Sequence, residues 1–160
     1  MNPDLQRGRI FQINVSKGGV PKLAIPAGDV TPRGILGDEQ ADLRVHGGPE
    51  RAVCLYSLER LIALQVEGHP TFSGAFGENL TLSGLDWDRV QPGQRYRLGE
   101  QVVIEISRYT SPCNNLIPFF KDGDYGRISQ SQRPGWSRVY GRVLVGGSLR
   151  PGDEIIQVLD

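Results

Sequence analysis

The chain has 160 residues, and its 18 Lys and Arg residues balance 18 Asp and Glu residues, so the formal net charge at pH 7 is zero. The basic residues form no block or stripe, which argues against a nucleic-acid-binding module. No apolar run approaches the ~20 residues of a membrane span. A chain of this length suits one domain, predicted over residues 1–160 with its core at about 8–160.

Cysteine and glycine content narrow the class of protein further. Two cysteines, Cys54 and Cys113, are too few for a disulfide scaffold or for an iron–sulfur cluster held by four thiolates. Residues 1–7 contain no apolar region typical of a secretory signal, so the sequence predicts a reduced, cytoplasmic protein. The 21 glycines and 11 prolines indicate many turns between short strands.

The first third of the chain alternates short extended segments with turns. Ile10 to Val15 alternate apolar and polar residues, which predicts a strand. Residues 22–26 follow a turn and predict a short paired segment. Residues 30–38 predict an extended stretch with a glycine bend. The apolar run at residues 52–56 predicts a buried strand.

A polar cluster at residues 37–51 lies just before that buried strand and includes His46, Gly47, Gly48 and Arg51. A Gly-Gly pair permits positive φ angles and close backbone approach, so successive N–H groups can form an anion-binding nest. The alternative is a tight turn with surface charges, and a single histidine is more often a structural hydrogen-bonding group than a ligand.

One segment has the apolar spacing of a helix. Residues 58–67 follow Ser57, a good N-cap, and end before Gly68, which predicts the main helix. Glu78 and Asn79 then form a second polar pair between Gly77 and an alternating strand, although plain turn chemistry also explains such a pair.

The second half of the chain is rich in strand patterns. Residues 90–106 predict a hairpin that turns at Gly99, whereas residues 125–132 are polar and aperiodic, which predicts a mobile loop. Further strands are predicted at residues 135–145 and 154–159. A mainly β fold, a distorted β-barrel with one main helix and a few short helices, fits this order.

Cys113 occupies the point where a strand ends and a turn or helix begins. Pro112 leaves it near the first turn of that element. A helix N-terminus offers free N–H groups and partial positive charge, which favour the thiolate that binds metals or attacks electrophiles. The alternative is that Cys113 is a small buried hydrophobic residue, as most free cysteines are.

The order of these motifs resembles the MOSC family, the domains named for the C-terminal part of molybdenum-cofactor sulfurase, and in particular its small stand-alone bacterial members. The resemblance runs from about Gly8 to the C-terminus. It rests on residues 37–53, Phe76-Gly77-Glu78-Asn79-Leu80, Ser111-Pro112-Cys113-Asn114-Asn115-Leu116, residues 140–144 and Pro151-Gly152-Asp153.

This resemblance implies a β-barrel that binds the pyranopterin molybdenum cofactor, with Cys113 as the catalytic thiol that ligates the metal or carries sulfur. Stand-alone members resemble reductases of N-hydroxylated compounds that receive electrons from a separate redox protein. The positions expected to bind the cofactor are His46, Gly47, Gly48, Arg51, Glu78, Asn79 and Arg142.

The chemistry of these residues agrees with that expectation. Molybdenum requires a soft anionic ligand, which a thiolate supplies. The Gly-Gly nest and the arginines suit a phosphate, and Glu78 with Asn79 suits the hydrogen-bonding edge of a pterin. Cys54 lies inside an apolar strand and is expected to be structural.

Other cofactors lack a motif in this chain. No Gly-x-Gly-x-x-Gly pattern indicates a nicotinamide or flavin, and two cysteines cannot build an iron–sulfur cluster. An external electron-donor protein is therefore the expected partner, with a small N-hydroxylated substrate and neither nucleic acid nor membrane. A homodimer is one option for the oligomeric state.

Three other functions stay open on the sequence alone. The first is a carrier that binds sulfur or the cofactor at Cys113 without turnover of its own. The second is a thiol hydrolase that uses Cys113, His46 and Asn79, provided that these residues meet in space. The third is a barrel that has lost its activity and serves as a binding module.

Overall fold

The structure, a computed structural model, describes residues 4–39 and 48–159. Its one α-helix, α1, is Leu58–Val66, and four short 3-10 helices are Pro49–Arg51, Trp87–Arg89, Asn114–Phe119 and Tyr125–Ile128, all within those ranges. The strands are β1 Arg7–Val15, β2 Leu23–Ile25, β3 Gly28–Thr31, β4 Gly34–Ile35, β5 Val53–Ser57, β6 Leu80–Ser83, β7 Arg95–Leu98, β8 Val102–Tyr109, β9 Val139–Val145, β10 Gly147–Leu149 and β11 Glu154–Val158.

Seven strands close into a barrel in the order β11-β7-β8-β9-β5-β6-β1, and β1 pairs back with β11 through partners such as Gly8 and Ile155. Neighbouring strands are antiparallel except β5 and β6, which are parallel and are joined by α1 as such a crossover requires. The mainly β, barrel-type prediction is therefore confirmed.

Two smaller additions flank the ring of strands. Strand β2 pairs with the end of β1, and the separate sheet β10-β3-β4 adds Val30 and Ile35 to the hydrophobic core. Residues 28–35 thus form two short strands with a turn between them, as the predicted glycine bend requires.

The core follows the two-residue period of the strands. In β8, Val102, Ile104 and Ile106 are buried, while the residues between them are only half-buried. Helix α1 covers the barrel wall with Leu61 and Leu64, both buried. The hairpin predicted at residues 90–106 is present, because β7 and β8 pair antiparallel with Gly99 in the turn between them.

Helix α1 begins and ends where the sequence indicates. The Ser57 Oγ accepts a hydrogen bond from the Arg60 N–H at 3.1 Å, which satisfies one of the free donors of the first turn. The helix ends at Val66, and Gly68 follows with a φ of 98°. Among the described residues, no helix is long and apolar enough to cross a membrane.

One segment differs from its prediction. Residues 125–132 were expected to form a mobile loop without regular structure, but Tyr125–Ile128 is a 3-10 helix that buries Ile128 completely. The Asp124 carboxylate caps it by accepting from the Gly126 N–H at 3.0 Å. Gly126 and Ile128 are its buried residues, and a helix of four residues is too short to produce a periodic pattern.

The N-cap of α1 yields a first prediction. Ser57→Ala removes the hydroxyl that caps the helix, so we expect the free energy of unfolding to fall by about 1 kcal/mol in urea titrations. The matched control is Ser83→Ala, at a half-buried position outside any helix, where we expect a change below about 0.5 kcal/mol. Equal losses in the two variants would show that the cap contributes nothing.

Candidate functional site

A pocket of about 620 Å³, including the open space at its mouth, lies at one end of the barrel. Its wall comes from the β1–β2 connection, the start of β5, the residues before β6, the segment after β8 and the start of β9. The lining residues are Gly19, Val20, Lys22, Arg51, Cys54, Phe76, Gly77, Asn79, Ser111, Cys113, Asn115, Leu116, Arg138 and Tyr140.

Cys113 is a free, half-buried thiol in this wall. It is the N-cap residue of the 3-10 helix Asn114–Phe119, with an extended backbone, and its carbonyl oxygen accepts from the Leu116 N–H at 3.0 Å. Leu116 is buried in the core and anchors this turn. The predicted position of Cys113 between a strand and a helix is confirmed, and the helix is of the 3-10 type.

Cys54 lines the same pocket, a juxtaposition that the sequence did not reveal. It lies in β5, is buried, and burial raises the pKa of its thiol to about 11. Burial also raises the pKa of Tyr140 to about 12, and the Cys54 and Cys113 thiols both add to that rise. Both thiols and the Tyr140 side chain therefore line the same pocket.

The side-chain amide of Asn79 joins several segments of the wall. Its Oδ1 accepts from the Cys54 N–H at 2.9 Å, and its Nδ2 donates to Asp38 Oδ2 at 2.9 Å and to the Asn14 carbonyl oxygen at 3.2 Å. Both amide N–H donors are thus occupied, and one lone pair of Oδ1 is left for a ligand. Asn79 consequently acts first as a positioning residue of the pocket.

Asp38 carries the negative charge of this network. Its side chain is 4% exposed, and Oδ1 forms an ion pair with Lys22 Nζ at 2.6 Å. The same Oδ1 accepts from the Ser16 N–H at 2.9 Å. Lys22 lines the pocket, but its charge is already neutralised by Asp38, as a buried ammonium group requires.

Glu78 lies behind the pocket wall, between the lining residues Gly77 and Asn79. It is fully buried, and burial raises its pKa to about 7, against the opposing charge of Arg138. Neighbouring backbone N–H groups also oppose that rise, yet neither carboxylate oxygen has a hydrogen bond of normal geometry with any described residue. The structure does not bring Glu78 into the pocket lining.

Arg138 is the arginine that sequence reasoning missed. It is 7% exposed, lines the pocket, and donates from Nη1 to the Phe76 carbonyl oxygen at 2.7 Å. Its Nε is buried without a hydrogen-bond partner among the described residues. Arg138 lies within the strand predicted at residues 135–145 and belongs to no motif, so no local signal distinguishes it.

Arg142, the arginine chosen from the sequence, is not in the lining. It lies within β9 and pairs with the Glu105 carboxylate on β8, which also accepts from Arg95 Nε at 2.9 Å. The Arg95 and Arg142 guanidinium groups hold the pKa of Glu105 below its usual value. Arg142 lies two residues further along β9 than Tyr140, so its side chain lies outside the pocket lining and within this ion-pair network.

The predicted anion nest is only partly visible. His46 and Gly47 lie outside the described residues. Gly48 has a φ of 95°, as expected for a nest glycine, but it does not line the pocket. Arg51 does line it, and its guanidinium carbon lies 5.9 Å from the centre of the Tyr140 ring. The nest itself stays a prediction.

Two further observations bear on the open alternatives. The Cys113–His46–Asn79 triad stays a prediction, because His46 lies outside the described residues. Within residues 4–39 and 48–159, no group of three or more His, Cys, Asp or Glu side chains is positioned to hold a metal ion.

Comparison with known proteins gives a consistent family. A family model described as the MOSC domain matches residues 42–156. Protein YflK of Bacillus subtilis, described as uncharacterised, is 40% identical over 117 residues, which cover 72% of this chain and 52% of YflK. Protein YiiM of Escherichia coli is 37% identical over 112 residues, or 67% of this chain and 50% of YiiM.

Two other matches are a relative that is named a reductase and a solved crystal structure. A Gibberella moniliformis protein named a reductase is 36% identical over 127 residues, covering 76% of this chain and 22% of that protein. The crystal structure of YiiM from Geobacillus stearothermophilus matches with a TM-score of 0.76 and 29% identity, over 95% of this chain and 75% of the other. The chain spans about half the length of YflK and YiiM.

The buried Glu78 predicts an unusual dependence of stability on pH. The pKa of Glu78 is about 7 in the folded protein, against an ordinary value of 4.5. Between pH 4.5 and pH 7, Glu78 is therefore largely protonated in the folded state and largely ionised in the unfolded state. The contribution of Glu78 to the free energy of unfolding therefore falls as pH rises from 4.5 to 7, by on the order of 3 kcal/mol.

The variant Glu78→Gln lacks this titration, so its stability relative to the parent protein should rise between pH 5 and pH 8, as measured in urea titrations. Glu105→Gln is the matched control, because two arginines lower the pKa of Glu105 and its titration has the opposite sign. Parallel pH profiles for the parent and Glu78→Gln would contradict the assignment.

Proposed function

This chain belongs to the MOSC domain family, and we propose that its pocket binds a pyranopterin molybdenum cofactor with the Cys113 thiolate as a ligand of the metal. The proposed reaction is the two-electron reduction of an N-hydroxylated compound, which takes up two protons and releases the amine and water. The observation that carries this proposal is the free Cys113 thiol in the wall of a pocket that also contains cationic side chains.

The residues present fit such a group. A thiolate is a soft anionic ligand of the kind that molybdenum prefers. A single protein thiolate would be enough, because the dithiolene of the pterin would supply further sulfur ligands. Arg51 and Arg138 line the pocket and offer guanidinium groups to a phosphate. The free lone pair of Asn79 Oδ1 can accept from a pterin N–H group.

When bound, the cofactor would supply a metal centre that exchanges electrons and accepts the oxygen atom of the substrate. The protein's own contribution is binding and orientation. Val20, Phe76 and Leu116 give the pocket an apolar wall, which limits water around the reacting groups. Cys54 and Tyr140, with pKa values of about 11 and about 12, keep their protons at neutral pH and can donate hydrogen bonds.

The comparisons support an oxidoreductase. The Gibberella moniliformis relative is named a reductase, and its match covers 76% of this chain. That match covers only 22% of the relative, so we propose a reductase activity for this chain on the basis of the shared region alone. We further propose that an external redox protein delivers the electrons, since the sequence contains no nicotinamide or flavin motif.

The half-buried position of Cys113 favours one alternative. A thiol that is partly accessible at a pocket wall could carry a persulfide or the cofactor to an acceptor protein without turnover of its own. A carrier and an enzyme both retain a ligand at Cys113, but only an enzyme converts substrate. Turnover therefore separates these two functions.

The first test concerns the metal ligand. Cys113→Ser keeps the size of the side chain but removes the soft ligand, so we expect loss of molybdenum and of reductase activity with little change in Tm. Molybdenum and pterin would be measured in protein purified from a host that makes the cofactor. Normal turnover by Cys113→Ser would contradict the assignment of Cys113 as the metal ligand.

Cys54→Ser is the matched comparison for Cys113→Ser. It places a hydroxyl group in a buried strand, at a cost of about 1–3 kcal/mol if the hydroxyl finds no partner. We expect a lower Tm and retained molybdenum. A Cys54→Ser protein that keeps its stability and loses molybdenum would identify Cys54, and not Cys113, as the metal ligand.

The second test concerns turnover. The loaded protein should reduce a hydroxylamine or an amidoxime with reduced viologen as an artificial electron donor, whereas NADH alone should not support the reaction. Loaded protein that retains molybdenum but reduces neither compound would favour the carrier. Reduction driven by NADH without an added reductase would contradict the proposed external donor.

A further inference from the structure

Two ionisable side chains, those of Arg138 and Glu78, are buried at this pocket, and the carbonyl oxygen that Arg138 contacts, that of Phe76, lies two residues before Glu78. Arg138 reaches the pocket lining, and Glu78 lies behind the wall between two lining residues. Each has polar atoms without a hydrogen-bond partner among the described residues, namely Nε of Arg138 and both carboxylate oxygens of Glu78. The proposed cofactor chemistry does not by itself require a buried acid at this place.

Arg138 carries a permanent charge that burial makes costly. A guanidinium group does not lose its proton in proteins, so its charge must be balanced by an anion or by oriented dipoles. The Phe76 carbonyl oxygen supplies one such dipole at 2.7 Å. Nε is buried and has no hydrogen-bond partner among the described residues, so the charge is incompletely balanced. Because Arg138 lines the pocket, an anionic group bound there would balance it.

Glu78 is the neighbouring acid that balances this charge. The charged or titratable side chains that act on it are Arg138, which favours the carboxylate, and Cys54 and Tyr56, which are uncharged at neutral pH. Lys22 is already neutralised by its ion pair with Asp38. The carboxylate is favoured first by the backbone N–H group of Glu78 and then by the Arg138 charge, so neutralising that charge would raise the pKa of Glu78 further.

We propose that Arg138 binds an anionic group of a molecule in the pocket and that Glu78 takes up a proton from solvent when this anion arrives. The anion neutralises the Arg138 charge and brings a second negative charge near Glu78, and both effects favour the neutral carboxylic acid. The net charge of the pair plus its ligand is thereby conserved. Any anionic group would act in this way, so the coupling is independent of the proposed cofactor.

Linkage then makes anion binding dependent on pH. The pKa of Glu78 in the anion-free protein is about 7, so the acid is largely protonated at pH 6 and must gain a proton on binding at pH 8. If the bound anion keeps Glu78 neutral throughout this range, the affinity falls by up to about tenfold between pH 6 and pH 8.

Sulfate is a suitable probe because its own charge does not change between pH 6 and pH 8. We expect sulfate binding by the full chain, made in a host that lacks pterin cofactors, to weaken by up to about tenfold over this range. Calorimetry at pH 7 in two buffers of different ionisation enthalpy should show an uptake of up to about half a proton per sulfate.

Variants identify the groups responsible. Glu78→Gln should bind sulfate with an affinity that no longer depends on pH and without proton uptake. Arg138→Gln should lose binding, while Arg138→Lys keeps the charge and should keep weaker, pH-dependent binding. Arg142→Gln is the matched control, since Arg142 lies outside the pocket lining, and its sulfate affinity should equal that of the parent protein.

Several results would overturn this coupling. They are no sulfate binding by the parent protein, an unchanged affinity in folded Arg138→Gln, or a pH dependence in Glu78→Gln equal to that of the parent. Circular dichroism checks the folding of each variant, and the measurements on the parent protein decide the matter even if a variant fails to fold. A protein that never retains molybdenum would refute the proposed function and leave this result unaffected.

Discussion

The hydrogen bonds of one buried amide, that of Asn79, hold the pocket together. This side chain binds the backbone of β5 at Cys54, the carboxylate of Asp38 and the carbonyl oxygen of Asn14, so three segments distant in sequence meet at one residue. Each of these groups is buried and would lose a partner without the amide, which makes the arrangement costly to disturb. The positions of Cys54 and Lys22 in the wall follow from it.

Charge balance distinguishes the three cations of the pocket. Lys22 is neutralised by Asp38, and Arg51 packs over the Tyr140 ring. Among the described residues Arg138 has a buried nitrogen without a hydrogen-bond partner, and burial raises the pKa of Glu78, whose carboxylate the Arg138 charge favours, to about 7. A buried cation with an adjustable counterion is suited to receive an anion, because the counterion can become neutral when the anion arrives.

Much of the fold could be predicted because its signals are local. The N-cap at Ser57 and the apolar spacing after it located α1 to within a residue of its end, and the hairpin pattern at residues 90–106 located β7 and β8. The helix Tyr125–Ile128 escaped prediction, because four residues are too few to leave a periodic pattern. In the site, the place of Cys113 between a strand and a short helix was also local information, set by Pro112 and the preceding strand.

By itself, the sequence determined the barrel class, the helix, the order of the motifs and the position of Cys113 between a strand and a short helix, because each depends on residues close together in the chain. Only the tertiary structure decided that Arg138 and not Arg142 lines the pocket, that Glu78 lies behind its wall, and that Cys54 shares it with Cys113. These facts depend on the pairing of β5 with β9 and β6 and on the closure of β1 with β11. Such pairings join residues far apart in sequence, and their outcome is set by packing of the whole ring rather than by any local pattern.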